Sequence, residues 1–367
     1  MITTAYIITT NKCNMNCSYC YEKEFFKNRF SDMSLDMMNK TVDFLFDHVE
    51  KDHFAKPGEH VGVYYFGGEP TLNWDTIEQN MHYVKEKEKK TGYKAGIYFL
   101  TNGYRFPKNK INFFHTLKEN NVKVQISLDG CQESHNAARG HFDEIVANVK
   151  ELIKAIGSHP IIRMSVTADN LKYAFESFRV MVKLSCAVHL TLVPESAWTD
   201  EHIEIAKKEF TKIMNLYEKL SMRAPLAFNI AKGCINDSMR NCETGHNMVG
   251  IDIDGSIYPC HRFTFHKNKE DWKMGNVESS KIRYPILDPF FSECDGCECR
   301  ICHPCPSQMI LSDQGAPPEK YCAIYKAIQQ VCEPIARKVH ERSKEKTILE
   351  ALMYIIGKLD EKKNTGS

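Results

Sequence analysis

From residue 3 to about residue 220 the chain alternates between two hydrophobic rhythms. Short β-rich runs occupy Thr3–Thr9, His60–Phe66, Ala95–Leu100, Val122–Leu128, Ile161–Thr167 and Ala187–Val193. Between and after them, apolar residues return at the spacing of an amphipathic helix. Leu35, Met38, Val42, Leu45, Phe46 and Val49 do so, as do Phe142, Ile145, Val146, Val149, Leu152, Ile153 and Ile156. Further helices fit Asp75–Lys90, Asn109–Asn120, Leu171–Leu184 and Asp200–Leu220. The charge run Lys85-Glu86-Lys87-Glu88-Lys89-Lys90 reads as the solvated face of one of them.

Six β/α repeats of this length predict an α/β fold, with a parallel sheet and helices outside it, closed partway into a TIM-type (β/α)6 barrel. Such a barrel carries its chemistry on the loops that follow the strands. Here each strand runs into a distinctive loop: Cys13–Cys20, Gly67-Gly68-Glu69-Pro70, Thr101-Asn102-Gly103, Ser127-Leu128-Asp129-Gly130, Val166-Thr167-Ala168-Asp169 and Val193-Pro194-Glu195. All six are expected on one rim.

Near residue 221 the rhythm breaks. Prolines and glycines rise and cysteines crowd in: Cys234, Cys242, then Cys260 at the end of a predicted hairpin over Gly250–Cys260 with Asp254-Gly255 as its turn. Cys294, Cys297, Cys299, Cys302 and Cys305 fall within twelve residues, and Cys322 follows a loop containing Pro317-Pro318. A closing helix is expected after Pro334, with Ile348, Leu352, Ile355 and Leu359 at helical spacing, before a disordered tail Asn364–Ser367. The expected division is a barrel over 1–222, a small cysteine-rich domain over 223–330, and the helix with its tail over 331–367.

Composition narrows the function. The chain has 367 residues, with 48 Lys+Arg against 47 Asp+Glu, a formal net charge of +1. That balance argues against a nucleic-acid partner, which usually shows as a basic excess. No run approaches the roughly 18 apolar residues of a membrane span, and Met1-Ile2-Thr3-Thr4 lacks the basic start of a signal peptide. The expected location is cytoplasmic, where clustered cysteines are metal ligands more often than disulfides. Of the fifteen cysteines, Cys131, Cys186 and Cys332 stand apart from the clusters. Cys131 and Cys186 read as buried, inert thiols, and Cys332 as a helix cysteine.

Cys13, Cys17 and Cys20 form C-x3-C-x2-C directly after the first strand. Three soft thiolates on one loop suit zinc or iron–sulfur chemistry, and three ligands on a 4Fe–4S cluster leave one iron open. With the aromatic Tyr19 before the last cysteine, the loop resembles the radical S-adenosylmethionine (SAM) motif C-x3-C-x-aromatic-C. The resemblance implies an open iron that chelates the cofactor's amino and carboxylate groups. It further implies electron transfer that cleaves SAM to a 5′-deoxyadenosyl radical, which takes hydrogen from the substrate. Gly67-Gly68-Glu69-Pro70 is either a plain tight turn or, by the same resemblance, the site for the methionyl amino group, with Tyr19 and Asn102 nearby. Ser127 and Arg139 are either turn and surface residues or contacts to the cofactor's carboxylate or ribose.

The C-terminal pattern, Cys242-x12-Gly255-x4-Cys260 and then dense cysteines, resembles the SPASM extension of radical SAM enzymes, which binds two auxiliary 4Fe–4S clusters. Carried over, the first would use Cys234, Cys242, Cys260 and Cys305, and the second Cys294, Cys297, Cys302 and Cys322, making three clusters in all. The spacing C-x2-C-x4-C-x2-C departs from the common C-x2-C-x5-C-x3-C, so that Cys299 either replaces Cys302 or is a free thiol near the substrate. The likeness covers residues 1 to about 325. It implies an enzyme acting on a peptide or protein, with a Cys-containing precursor peptide among its possible substrates and flavodoxin or ferredoxin as electron donor.

Maturation of a ribosomal peptide through a thioether or other cross-link is the reading the resemblance favours. Anaerobic sulfatase maturation to formylglycine is the alternative, and a non-catalytic zinc or redox-sensing module is the alternative of another class. After Cys260 the chain has His261-Arg262, where sulfatase maturases usually carry an aspartate base, which makes His261 the candidate base. Because the first strand begins at Thr3, a leader peptide is expected to need a separate partner or another surface.

Overall fold

The computed structural model describes residues 2–23, 31–51, 58, 60–236, 242–266, 268–279, 281–285, 294, 296–302, 305–307 and 318–364, with side chains as far as residue 344. Six parallel strands stand in sequence order: β1 (Thr4–Thr10), β2 (His60–Gly67), β3 (Lys94–Thr101), β4 (Lys123–Ser127), β5 (Ile161–Val166) and β6 (Ala187–Leu192). Each expected strand is present within a residue or so of its predicted ends.

The strands alternate along their length in a way that separates fold from function. Val61, Val63 and Tyr65 of β2, Ile97 and Phe99 of β3, Ile162, Met164 and Val166 of β5, and Val188, Leu190 and Leu192 of β6 are buried on one face. The helices pack there, among them α1 (Leu35–Glu50), α2 (Trp74–Thr91), α3 (Lys110–Glu119), α5 (Phe142–Ile156), α6 (Ala174–Leu184) and α7 (Asp200–Ser221), while the short α4 (Gln132–Ala138) follows the loop after β4. Residues on the opposite face, such as Tyr6, Tyr64, Tyr98, Gln125 and His189, are only half-buried, and Arg163 is exposed. A period of two puts these side chains on the concave side of the sheet.

The sheet does not stop at the barrel. A two-residue strand β7 (Ala227–Phe228) extends it beyond β6 and leads into α8 (Asn229–Ile235). At the other edge β8 (Met248–Ile251) pairs parallel to β1, with Thr4 opposite Met248 and Ile7 opposite Ile251. The expected hairpin is then completed by β9 (Ser256–Tyr258), and β10 (Gly275–Asn276) closes the edge. An open strand edge presents unpaired amides and carbonyls, and β8 satisfies those of β1. The expected division at residue 222 therefore separates stretches of sequence that share one ten-stranded sheet.

Two expectations need correction. The last helix, α9 (Glu319–Asn364), begins well before Pro334 and runs through it. Proline removes one hydrogen bond from a helix interior, but Tyr321, Ile324, Tyr325, Ile328, Cys332 and Ala336 make a buried stripe that packs on α7 and α8. Lys338 and Arg342 of α9 also pair with Glu218 of α7 at 2.8 and 2.9 Å. Second, Cys186 is exposed, because it follows the end of α6 at the surface, whereas Cys131 is buried as expected and Cys332 is the helix cysteine expected of it. The tail residues 365–367, Pro317, and the side chains expected to pack from Ile348 to Leu359 lie outside what is described. Among the described residues no helix is long and apolar enough to cross a membrane.

Candidate active site

The loop Cys13–Cys20 is held against the ends of β2 and β3 by backbone. Gly67 has φ +128°, and a Cβ there would lie 2.4 Å from the Thr10 carbonyl oxygen. A Cβ on Gly68 would fall 2.1 Å from the Lys12 carbonyl oxygen and 3.3 Å from Cys13 Cβ. Only glycine admits this approach. In it the Gly68 amide donates to Thr10 O at 2.9 Å and the Glu69 amide to Lys12 O at 2.8 Å.

Glu69 is buried and its carboxylate accepts three hydrogen bonds. Oε2 accepts the Asn102 amide at 2.7 Å, while Oε1 accepts the Thr101 hydroxyl at 2.7 Å and the Thr71 amide at 3.1 Å. Burial pushes its pKa up, and these hydrogen bonds oppose the rise. Asn102 also reaches the cysteine loop, donating from Nδ2 to Asn14 Oδ1 at 2.8 Å, and Asn14 donates in turn to Tyr104 O at 3.0 Å.

The other side of the loop is gripped by Asp129, at the end of the loop after β4. Its buried carboxylate accepts from Tyr19 Oη, from Arg139 Nε at 2.8 Å and from the Ser165 amide at 2.9 Å. Arg139 lies over the Tyr19 ring at 5.3 Å and donates from Nη1 to Cys17 Sγ at 3.6 Å. Asn102 and Arg139 thus reach the cysteine loop, to which Tyr19 belongs, and Glu69 stands behind Asn102. In the fourth loop, however, the side chain that reaches the cysteine loop is Asp129 and not Ser127. A buried acid at the C-terminal end of a barrel strand was the available signal.

The three thiols are crowded. Cys13 is pushed up to about 12 by burial and then by the charges of Glu69, Cys17 and Cys20. Cys20 is pushed up to about 12 by burial and Glu22, while Arg139 opposes the rise at Cys17. Thiolates here repel one another, so a cationic iron–sulfur core would relieve the cost; the donor set fits such a group. Among the described residues no three His, Cys, Asp or Glu side chains are placed around a single-ion site.

The C-terminal thiols fall into three neighbourhoods. Cys242, Cys260 and Cys305 influence one another, with Cys260 pushed up to about 12 by burial and then by Cys305. Cys294, Cys297, Cys299 and Cys322 all act on Cys302. Cys234, expected beside Cys242, has instead Cys299 and Cys332 among its neighbours, in the interior between α8 and α9.

His261 follows Cys260 into the barrel mouth, its ring 4.7 Å from both Tyr6 and Phe66. Nδ1 is buried without a hydrogen-bond partner. Burial, then Arg262 and Arg163, push its pKa down to about 3. Arg262 turns the other way, over the Tyr21 ring at 4.6 Å and onto Glu195 of the sixth loop. All six expected loops therefore face one rim.

Comparison with known proteins gives what the chain is similar to. Residues 7–180 match the Radical SAM superfamily. This stretch is a radical SAM domain. The chain is also 26% identical over 301 residues to a cysteine-type anaerobic sulfatase-maturating enzyme of Clostridium novyi, covering 73% of this chain and 75% of that one. Among solved structures it is similar to native anSMEcpe with bound AdoMet and Cp18Cys peptide, at TM-score 0.68 and 19% identity over 92% of this chain and 99% of the other. Streptococcus suis SuiB bound to precursor peptide SuiA matches at TM-score 0.53 and 14% identity, over 76% and 63% of the two chains. The chain thus carries a stretch that matches the Radical SAM superfamily, is similar in sequence to an anaerobic sulfatase-maturating enzyme, and is similar in fold to anSMEcpe and SuiB.

One histidine of the radical SAM domain makes its clamp pH-dependent. His135 is buried, accepts the Asp129 amide at Nδ1 (3.0 Å) and donates from Nε2 to Gly140 O (2.9 Å), so it is neutral. Burial, the leading cause, pushes its pKa down to about 4, against about 6.5 unfolded. Between these values the unfolded chain binds a proton that the native one does not, so stability is full above about pH 6.5 and falls toward pH 4, by about 3 kcal/mol. His135→Asn, which can still accept the Asp129 amide, should flatten that slope by about one proton in denaturant titrations run from pH 4 to 7. An unchanged slope would show that His135 titrates alike in both states.

Proposed function

We propose that this chain is a radical SAM enzyme that removes hydrogen from a peptide substrate and forms a cross-link, such as a thioether, in a ribosomally made peptide. The observation that carries the reading is the concave face of the sheet. It stays half-open and aromatic, and Cys242 and Cys260 lie near enough to Tyr6 for their charge to act on it. Tyr6, Tyr64 and Tyr98 stack across it with ring centroids 4.5 and 4.1 Å apart. Such a surface takes an extended peptide by stacking and hydrogen bonding. Support for peptide substrates also comes from anSMEcpe and SuiB, whose structures hold peptides.

Cys13, Cys17 and Cys20 would hold a 4Fe–4S cluster, and that cluster with SAM supplies the hydrogen-abstracting chemistry when bound. Glu69 would accept from the cofactor's ammonium group, and Asn102 keeps its carboxylate aimed at the rim. Arg139 offers a guanidinium beside Cys17 for an anionic group of the cofactor. Cys242, Cys260 and Cys305, and Cys294, Cys297, Cys302 and Cys322, would hold two further clusters, with flavodoxin or ferredoxin as electron donor. Cys234 is reassigned by its neighbours toward Cys299 and Cys332.

The similarity to the Clostridium novyi enzyme favours a second reading, sulfatase maturation. That reaction needs a base near the substrate thiol or hydroxyl. An imidazole pushed down to about 3 would take a proton from a thiol of about 8.5 uphill by roughly 7 kcal/mol. His261 therefore serves better as a neutral wall of the substrate cleft than as the base.

Three outcomes follow for the anaerobically reconstituted protein. Replacing Cys13, Cys17 and Cys20 together with Ala should remove about a third of the iron and all 5′-deoxyadenosine formation; retained cleavage would sink the reading. Zinc in place of iron and sulfide in the wild-type protein would return it to the non-catalytic class.

Glu69→Ala should weaken SAM binding at least about tenfold by isothermal titration and leave iron content nearly unchanged. Equal affinity would make Gly67-Gly68-Glu69-Pro70 a turn and nothing more.

A sulfatase-type Cys or Ser peptide should yield no formylglycine under reducing conditions, while 5′-deoxyadenosine still forms. Multiple-turnover hydrogen loss from that peptide by mass spectrometry, abolished in His261→Ala, would make the protein a sulfatase maturase with an unusual base.

A further inference from the structure

The concave face contains one charge that the reaction described above does not use. Arg163 of β5 lies in register with Ser127 of β4 and His189 of β6. All three belong to the inward-facing set of their strands. From there its guanidinium acts on Tyr6 of β1, on His189 and on His261, three uncharged side chains from three different elements. Its charge is felt from β5 across the concave face to β1.

Six other arginines have a carboxylate partner: Arg139, Arg179, Arg262, Arg300, Arg337 and Arg342. Among the described residues Arg163 has no ion pair. Its field is correspondingly unneutralised: together with Lys232 it holds His189, itself half-buried, down to about 4, after the effect of burial. Lys232 of α8 is exposed and also without an ion pair among the described residues. The acid that does face this surface, Glu243, acts on Tyr64, toward the β2 side. On the β5–β6 side of the cleft Arg163 and Lys232 carry no ion pair among the described residues, while Asp129 and Glu195 are already paired with Arg139 and Arg262, which sets this wall up for an anion. An arginine held in a concave wall of aromatic rings, with its fork free, suits a planar carboxylate.

We propose that Arg163 anchors a carboxylate of the peptide substrate, either an acidic side chain or a free C-terminus, beside the Tyr6–Tyr64–Tyr98 stack. The proposal rests on the reading of the protein as a peptide-modifying enzyme. It adds a charge requirement to the substrate: the residue to be modified lies a short distance along the chain from a negative group. Guanidinium–carboxylate pairing would fix the peptide's register over the face, while the stacked rings bind its side chains without regard to sequence.

The test uses the reconstituted full chain and three fluorescein-labelled hexapeptides read by anisotropy. The first is Gly-Gly-Cys-Gly-Glu-Gly with an amidated C-terminus, the second its Gln counterpart, and the third that Gln peptide with a free C-terminal carboxylate. The wild-type protein should bind at least one carboxylate peptide about tenfold or more tighter than the neutral one. Whichever peptide does so names the source of the carboxylate. Arg163→Gln should abolish the preference, and Arg163→Lys, which keeps the charge but not the fork, should restore part of it. Thermal unfolding of both variants separates a lost anchor from a lost fold. Equal binding of all three peptides, binding of none, or a preference that survives in Arg163→Gln would overturn the proposal. SAM cleavage by the same wild-type preparation reads the proposed function separately. A carboxylate preference without cleavage removes the enzyme and leaves the anion site, and cleavage without a preference does the reverse.

Discussion

A single buried carboxylate ties the reactive loop to the barrel. Asp129 has no solvent exposure, and it satisfies at once a tyrosine of the cysteine loop, the arginine that touches Cys17, and a backbone amide of β5. A buried charge persists only when it is paired and hydrogen-bonded on every side, so the geometry is all or none. With Asp129 in place, Tyr19 and Arg139 have one arrangement available, and Cys17 is fixed with them. On the opposite flank the close backbone approach at Gly68 leaves no room for the loop to slide. The thiols thus project from a loop that is clamped by a charge on one side and by sterics on the other. That is what holding a reactive group in a repeatable place requires.

The same economy governs the larger architecture. A partial barrel has two open edges, and each needs a partner. The chain supplies both from the cysteine-rich region: β8 lies along β1, and β7 begins the same service beyond β6. Edge protection therefore has a functional consequence. Because β8 must run beside β1, the hairpin that follows carries Cys260 and His261 to the mouth of the barrel, over Tyr6. The second group of thiols reaches the concave face through a hydrogen-bonding need of the first strand.

This also explains what could be read from the sequence and what could not. Local signals were sufficient wherever the structure is local. The period-two runs placed β1 to β6, the three-to-four spacing placed α1 and α5, and Asp254-Gly255 marked its turn. The loops after the strands were legible because the strand ends define them. Non-local facts were not. The pairing of β8 with β1 joins residues some 240 apart with no turn between them to announce it. Pro334 reads as a helix boundary in isolation, yet the stripe from Tyr321 to Ala336 packs on α7 and α8 strongly enough to carry the helix through it. Asp129 was passed over for Ser127 because its partners lie 110 residues away at Tyr19 and 36 away at Ser165. Cysteine spacing grouped Cys294, Cys297, Cys302 and Cys322, which do lie near one another, and put Cys234 with Cys242, whereas Cys234 has Cys299 and Cys332 near it, a placement by α8 and α9 that spacing cannot report.

The two faces of the sheet, finally, obey different rules, and the difference locates the chemistry. On the outer face every second residue is aliphatic or aromatic and buried, as packing against helices demands. If the inner face served stability alone, it would be filled by interlocking branched side chains, as in a closed barrel. Instead it bears three stacked tyrosines, an unpaired arginine and two histidines held neutral by their surroundings. Each of these costs stability relative to a leucine or valine in the same place, through desolvation or an unmet hydrogen bond. Their cost is concentrated on one surface, and Cys242 and Cys260 lie near it at Tyr6. A surface that forgoes packing in this way keeps polar and aromatic groups oriented toward the open space of the barrel, where a row of rings and, among the described residues, an arginine without an ion pair face a molecule that is not part of the chain.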